Sequence, residues 1–141
     1  MKLRDILNAK GRDVHTISCQ ATLGDVVDRL VEFNCGSLVV FDGESMVGII
    51  TERDILRSCA SNGHALQTKL VKDHMTPEPI TSEPEAELGY VMGLLTEKRI
   101  RHLPVVQTGR LVGIISIGDV VKAQHDALSQ ENHFLKSYIH G

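Results

Sequence analysis

VGIITERDILR, residues 47–57, recurs 65 positions later as VGIISIGDVVK, residues 112–122. Five of the eleven positions are identical, and four more are conservative exchanges: Thr for Ser, Ile for Val, Leu for Val and Arg for Lys. The match continues upstream at the same offset, with Leu23-Gly24 falling on Leu88-Gly89, Val26-Val27 on Val91-Met92, and Leu30 on Leu95. The chain is therefore a tandem of two related units.

Each unit reads the same way. In the first, residues 22–35 carry Leu23, Val26, Val27, Leu30 and Val31 at helical spacing, with Thr22 as N-cap and Gly36 as stop. Residues 37–41 and 46–50 are short apolar strands on either side of Asp42-Gly43, which predicts a hairpin. Thr51-Glu52-Arg53-Asp54 opens a helix running toward Ala60, and Ser61-Asn62-Gly63 ends it. The second unit repeats this order with a helix over 87–99, strands over 102–106 and 111–115 around Thr108-Gly109, and a helix from about Ile117. Residues 74–85, with three prolines, are the joint, and within it Ile80 is expected as a short strand matching Ile17. That match leaves two extra residues between Ile80 and Leu88. In the tail, Leu128, Leu135, Tyr138 and Ile139 recur at helical spacing, a stripe expected to pack on the body or on another subunit. The expected divisions are 1–68 for the first repeat with the N-terminal segment, 69–125 for the second, and 126–141 for a helical tail.

Composition narrows the function classes. A chain of 141 residues, 42% hydrophobic, buries roughly two-thirds of its unfolded surface, enough for one body built from two half-cores. A net charge of −3 gives no electrostatic reason to bind nucleic acid, and the absence of Trp with few other aromatics leaves no stacking platform for single strands. No apolar run approaches a membrane span, and Asp5 interrupts the N-terminus before a signal-peptide core forms. A soluble cytoplasmic protein is expected. Cys19, Cys35 and Cys59 are odd in number and widely spaced, which fits a reducing compartment rather than a disulfide framework or zinc knuckle.

The repeated Thr51/Asp54 and Ser116/Asp119 pairs carry two readings. [ST]-x-x-[DE] ahead of an apolar run is a helix capping box, and a duplicated fold would duplicate its caps without any ligand. Residues three apart also share a helix face, so hydroxyl and carboxylate point the same way. A carboxylate can accept both hydroxyls of a cis-diol such as ribose, and the adjacent helix N-terminus favours a phosphate. Both roles can hold at once.

Taken together, the duplicated β-α-β-β-α order and these motifs resemble a known family. Gly48-Ile49-Ile50-Thr51-Glu52-Arg53-Asp54 and Gly113-Ile114-Ile115-Ser116-Ile117-Gly118-Asp119, with Asp73-His74-Met75-Thr76 and Arg101-His102-Leu103-Pro104-Val105, are similar to a tandem of cystathionine-β-synthase-type (CBS) domains. The resemblance implies an α/β fold of two repeats packed about a pseudo-twofold axis, with two clefts for adenosine ligands such as AMP, ADP, ATP, NAD(H) or S-adenosylmethionine. It also implies a regulatory role without catalysis or metal, and assembly as a homodimer. By carry-over, Thr51, Asp54, Ser116 and Asp119 face ribose, and Arg53, Arg101 and His102 are the basic candidates for phosphate. Thr16-Ile17 and Pro79-Ile80 are the candidates to cradle adenine, although apolar strand residues are as readily plain core.

The two sites are expected to differ. Gly118 replaces Arg53 in the second motif, and Arg101-His102 aligns with Gly36-Ser37 in the first unit. On a strand, Arg101 and His102 leave on opposite faces and do not serve one phosphate. Other patterns carry less. Gly113 and Gly118 have P-loop spacing, but Asp119 and Val120 stand where Lys and Ser/Thr are needed. His125-Asp126 and Asp73-His74 are isolated pairs without a second metal-ligand cluster, and Cys35 has no identifiable His base. His15, His64, His133 and His140 form no array.

Three functions follow: an adenosine-nucleotide sensor acting in trans on an unidentified target protein, a nucleotide-converting enzyme, or a structural dimerisation module with degenerate clefts. The absence of a paired nucleophile and base in the sequence argues against the enzyme.

Overall fold

Both hairpins form where the alternation places them. In the computed structural model, which describes residues 1–62 and 65–140, β2 (Ser37–Asp42) pairs antiparallel with β3 (Ser45–Thr51), and β5 (His102–Gln107) pairs with β6 (Arg110–Ser116). Each hairpin turns through two residues. In the second, Thr108 and Gly109 both have positive φ, 52° and 76°, the combination a type I′ loop requires. The irregularity between Val40 and Phe41 recurs between Val105 and Val106, so even the bulge is duplicated.

The chain divides into two compact units, Asp13–Thr81 and Met1–Arg12 with Ser82–Gly141. In the first of these, β1 (Thr16–Ser18) lies parallel to β2, and the sheet runs in the order β1-β2-β3-β4, where β4 is Thr76–Pro77. The proline of β4 sits at a sheet edge, where its missing N–H costs no ladder bond. α2 (Leu23–Phe33) and α3 (Glu52–Asn62) pack on each other, α2 also against β2 and α3 against β3. Leu23, Val26, Leu38, Val40 and Ile50 form the core with Ile17, Cys19 and Val71. In the second unit, α4 (Leu88–Lys98) and α5 (Ile117–His140) accompany the β5–β6 hairpin. Its core residues Leu88, Val91, Leu103, Val105 and Ile115 are the 65-offset equivalents of the first five.

Thr22 caps α2 as expected, its hydroxyl accepting the Asp25 N–H at 3.1 Å while the Asp25 carboxylate accepts the Thr22 N–H at 3.0 Å. The stop lies two residues before the expected Gly36: Asn34 takes the left-handed conformation, with φ 48°. The expected stop at Gly63, and His64, lie outside the described residues, as do the side chains of Ile139 and His140. The expected helix from Ile117 and the tail stripe are one continuous helix, α5, along which Leu128, Leu135 and Tyr138 are exposed.

Two further expectations are corrected. Ile80 is not the counterpart of Ile17. Ser82 bridges Val105 in parallel as Ile17 bridges Val40, and its backbone bonds to Pro104 and Val106. The 65-residue offset therefore runs unbroken and the two extra residues disappear. An apolar side chain suggested Ile80, but register is set by backbone pairing with a partner strand. The second correction concerns the N-terminus. Residues 3–10 form α1 (Leu3–Lys10), which packs against β6 and α5 rather than within the unit of the first repeat.

α1 is the start of a strap with a counterpart in the sequence. Lys2-Leu3-Arg4-Asp5 matches Leu70-Val71-Lys72-Asp73 at an offset of 68. Leu3 N–H bonds to the Ala86 carbonyl and Val71 N–H to the Ala21 carbonyl, while Arg4 N–H reaches Pro84 and Lys72 N–H reaches Cys19. Leu3 and Val71 are both fully buried. Each unit is thus closed by an equivalent strap, one taken from the N-terminus and the other from the segment after α3. The two repeat glycines, Gly48 and Gly113, lie under the straps: a Cβ there would stand 2.6 Å from Met75 Sδ or from a Leu7 methyl.

Candidate functional site

Each [ST]-x-x-D motif sits where a strand hands over to a helix. Thr51 ends β3 at the end of the sheet where β1 and β2 begin, and the first N–H of α3, from Glu52, donates to the Gly36 carbonyl at 3.1 Å. The second unit repeats the bond from Ile117 to the Arg101 carbonyl at 2.8 Å. This handover fixes the direction of the first helical turn and so of the aspartate on it.

Both motifs form complete capping boxes. Asp54 Oδ2 accepts the Thr51 N–H at 2.9 Å and the Thr51 hydroxyl at 3.2 Å, and the Asp54 N–H lies 3.4 Å from Thr51 Oγ1. Asp119 Oδ2 accepts the Ser116 N–H at 2.8 Å, and the Asp119 N–H donates to Ser116 Oγ at 3.1 Å. Every one of these carboxylate bonds falls on Oδ2. The caps therefore leave Oδ1 of each aspartate for another donor, and both aspartates are half-buried rather than sealed.

A residue that sequence reasoning missed distinguishes the two. Lys10, the last residue of α1, places Nζ 2.7 Å from Asp119 Oδ2 and 2.7 Å from the Ile114 carbonyl oxygen. Burial raises the Asp119 pKa, but the Lys10 hydrogen bond, the Ser116 backbone bond and the Lys10 charge outweigh it and hold the carboxyl below its ordinary value. Lys10 and Asp119 stand in the wall of a cavity of about 270 Å³ between α1 and α5, with Ile6, Ala9, Ala123 and Gln130 also lining it. Helical spacing of Leu3, Ile6 and Leu7 before Gly11 announces α1 in the sequence; nothing there announces a partner 109 residues away.

The other expected site residues divide by unit. Arg53 is exposed on the first turn of α3 beside Asp54. Thr16 is half-buried on β1, and its carbonyl accepts a bond from the Arg29 guanidinium. Ile17 is 3% exposed and belongs to the core. Beside this strand the rings of His15 and Phe33 stack at 4.0 Å, 11° from parallel. In the second unit, half-buried His102 pairs across the hairpin with Ser116, and Arg101, just before the strand, is exposed. Pro79 and Ile80 follow β4, in no strand, and fall in the compact unit of the first repeat. At the constant offset Thr81-Ser82, not Pro79-Ile80, correspond to Thr16-Ile17. Among the described residues no group of three His, Cys, Asp or Glu side chains is placed to hold a metal ion, and no helix is long and apolar enough to cross a membrane.

Comparison with known proteins bears on this geometry. The sequence model of the CBS domain matches residues 3–61 and again 71–126. A CBS domain-containing protein of Arabidopsis thaliana, CBSX3, described as mitochondrial, is 36% identical over 99% of this chain and 72% of its own length. The crystal structure of a CBS-domain containing protein from Agrobacterium tumefaciens superposes with a TM-score of 0.85 at 38% identity, over 88% of this chain and 99% of that one. The structure of CBSX2 in complex with AMP superposes with a TM-score of 0.69 at 28% identity, over 81% of this chain and 90% of that one.

Proposed function

The chain belongs to the CBS-domain family, and on that basis we propose that it is a non-enzymatic sensor that binds AMP or a related adenosine compound, NAD(H) included, and acts in trans on a partner protein. The observation that carries this reading is the uncommitted oxygen of Asp54. Its cap bonds converge on Oδ2, so the carboxylate can cap α3 and still accept a ribose hydroxyl on Oδ1. Arg53 is exposed beside it for a phosphate, and Thr16 lies at the same end of the sheet. A similar structure that carries AMP supports the ligand class. Signalling needs only that the ligand favour one arrangement of the protein over another, and a coupling of about 1–3 kcal/mol is typical.

Calorimetric titration of nucleotide-stripped protein with AMP, ADP, ATP, NAD, NADH and S-adenosylmethionine tests the reading. Micromolar binding of one compound, weakened at least about tenfold in Asp54→Ala by loss of charge-assisted bonds, is the expected result. Affinity unchanged from wild type in both Asp54→Ala and Asp119→Ala would sink the ribose assignment. A second reading draws on the complete capping boxes: a structural module in which both motifs serve only their helices. Failure of all six compounds to bind would favour it, and turnover of AMP or NAD by pure protein would instead make the chain an enzyme.

The reading includes a homodimer in the cytoplasm. Leu56 and Val121, 69% and 59% exposed, occupy equivalent positions on α3 and α5, and exposed Leu128, Leu135 and Tyr138 extend the apolar stripe along α5. Isologous pairing is the usual way to cover such faces. A clean monomer in sedimentation at micromolar concentration would count against it.

A further inference from the structure

Counted onward from the straps at the 68-residue offset, Lys10 falls on Glu78. The strap of the second unit thus ends in an ammonium that reaches Asp119, whereas that of the first ends, after β4, in an exposed carboxylate. Among the described residues Asp54 carries no ion pair like that of Asp119. We infer that Lys10 is a built-in competitor for the second ribose site, which a nucleoside must displace from Asp119, so that the first motif fills before the second.

Acceptor geometry sets the order of filling. A carboxylate that takes both hydroxyls of a cis-diol offers one lone pair from each oxygen, and each oxygen has two. Asp119 Oδ2 spends both, on the Ser116 N–H and on Lys10 Nζ. Asp54 Oδ2 also accepts two bonds, but one is a 3.2 Å contact from the Thr51 hydroxyl. That hydroxyl proton rotates away without moving a heavy atom. The Lys10 bond is charge-assisted, about twice as strong as a neutral one. Its ammonium is also anchored from a second side by the Ile114 carbonyl at 2.7 Å. Freeing Asp119 therefore means breaking the two short bonds of Lys10 Nζ and swinging its side chain away, whereas freeing Asp54 means turning one hydroxyl. The inequality is a matter of occupancy order, since both aspartates keep Oδ1 open.

The inference depends on the nucleotide reading, so the test separates the two. Adenosine, which has no phosphate to attract Lys10, is titrated into the wild type, Asp54→Ala, Asp54→Ala/Lys10→Met and Asp54→Ala/Lys10→Arg. The wild type should take up one equivalent per chain, and Asp54→Ala should lose it. Asp54→Ala/Lys10→Met should regain one equivalent at least about tenfold tighter than Asp54→Ala, the factor expected for one charge-assisted bond, and the arginine variant should stay closed. Two equal equivalents in the wild type would overturn the inference. So would a methionine variant that binds no better than Asp54→Ala while the wild type still binds through Asp54. A ligand-free arm follows the Asp119 carboxyl carbon by NMR as pH falls: it should titrate higher in Lys10→Met than in the wild type, and identical curves overturn the lock whether or not any ligand binds. Failure of every protein to bind adenosine, AMP or NADH removes the nucleotide reading and this inference with it.

Discussion

The two units differ less in their sheets than in their straps. Equivalent core residues occupy equivalent positions, and the backbone bonds that tie Leu3 and Val71 into their units repeat at constant offset. Beyond Leu7 and Met75 the straps part: one continues as helix α1 to Lys10, the other extends as β4 along the edge of β3. A duplicated fold thus keeps its packing where side chains are buried and diverges beyond them, where one strap reaches Asp119 and the other runs along β3 toward Val47. The charge environment of the two aspartates follows that divergence.

The comparison can be broken most severely at the buried end of the straps. Leu7 is fully buried, whereas Met75 is only partly so. Leu7→Ala should cost about 3 kcal/mol and Met75→Ala about half that, by the cavity each leaves; urea unfolding would show it, and equal losses would mean that the straps carry equal loads. The glycines beneath them offer a sharper contrast. The atoms nearest a Cβ at Gly113 belong to the Leu7 side chain, whereas at Gly48 they include the Thr76 backbone carbonyl at 2.8 Å, which has less room to yield. Gly48→Ala should therefore destabilise by about 2 kcal/mol and Gly113→Ala by about 1, within the usual range for overpacking, with thermal melts as the measurement.

The smallest effect lies at the divergent end. Asp119 has a folded pKa depressed below its ordinary value of 3.8, so its contribution to stability is present above that value and is lost as pH falls through the lower folded one. Partial exposure keeps this contribution below about 1 kcal/mol. Unfolding free energies of wild type and Lys10→Met should therefore differ at pH 6 and converge toward pH 2. A gap that persists at pH 2 would mean that Lys10 stabilises α1 by packing alone.

Much of this was legible in the residues. The hairpins, the Thr22 cap and the two motif helices followed from alternation, capping residues and turn glycines, which act within a few positions of one another. Ile80 misled because an apolar residue near a proline-rich joint looks like a strand wherever its partner lies; Ser82, polar and easily passed over, holds the place through backbone bonds. Asp54 and Asp119 were visible as a repeated pair, but a capping box and a ribose site share one sequence pattern, so only the positions of the bonds on Oδ2 show that the cap leaves an oxygen over.

The sequence by itself determined that two like units exist and where their hairpins and motif helices run, because periodicity and capping are local and duplication exposes them by self-comparison. Only the tertiary structure decided that α1 closes the unit of the second repeat and that its Lys10 meets Asp119. A charge pair across 109 positions leaves no periodic trace: it exists because backbone bonds of the strap to residues 84–88 bring α1 alongside α5, and that pairing is a property of the folded chain rather than of any stretch within it.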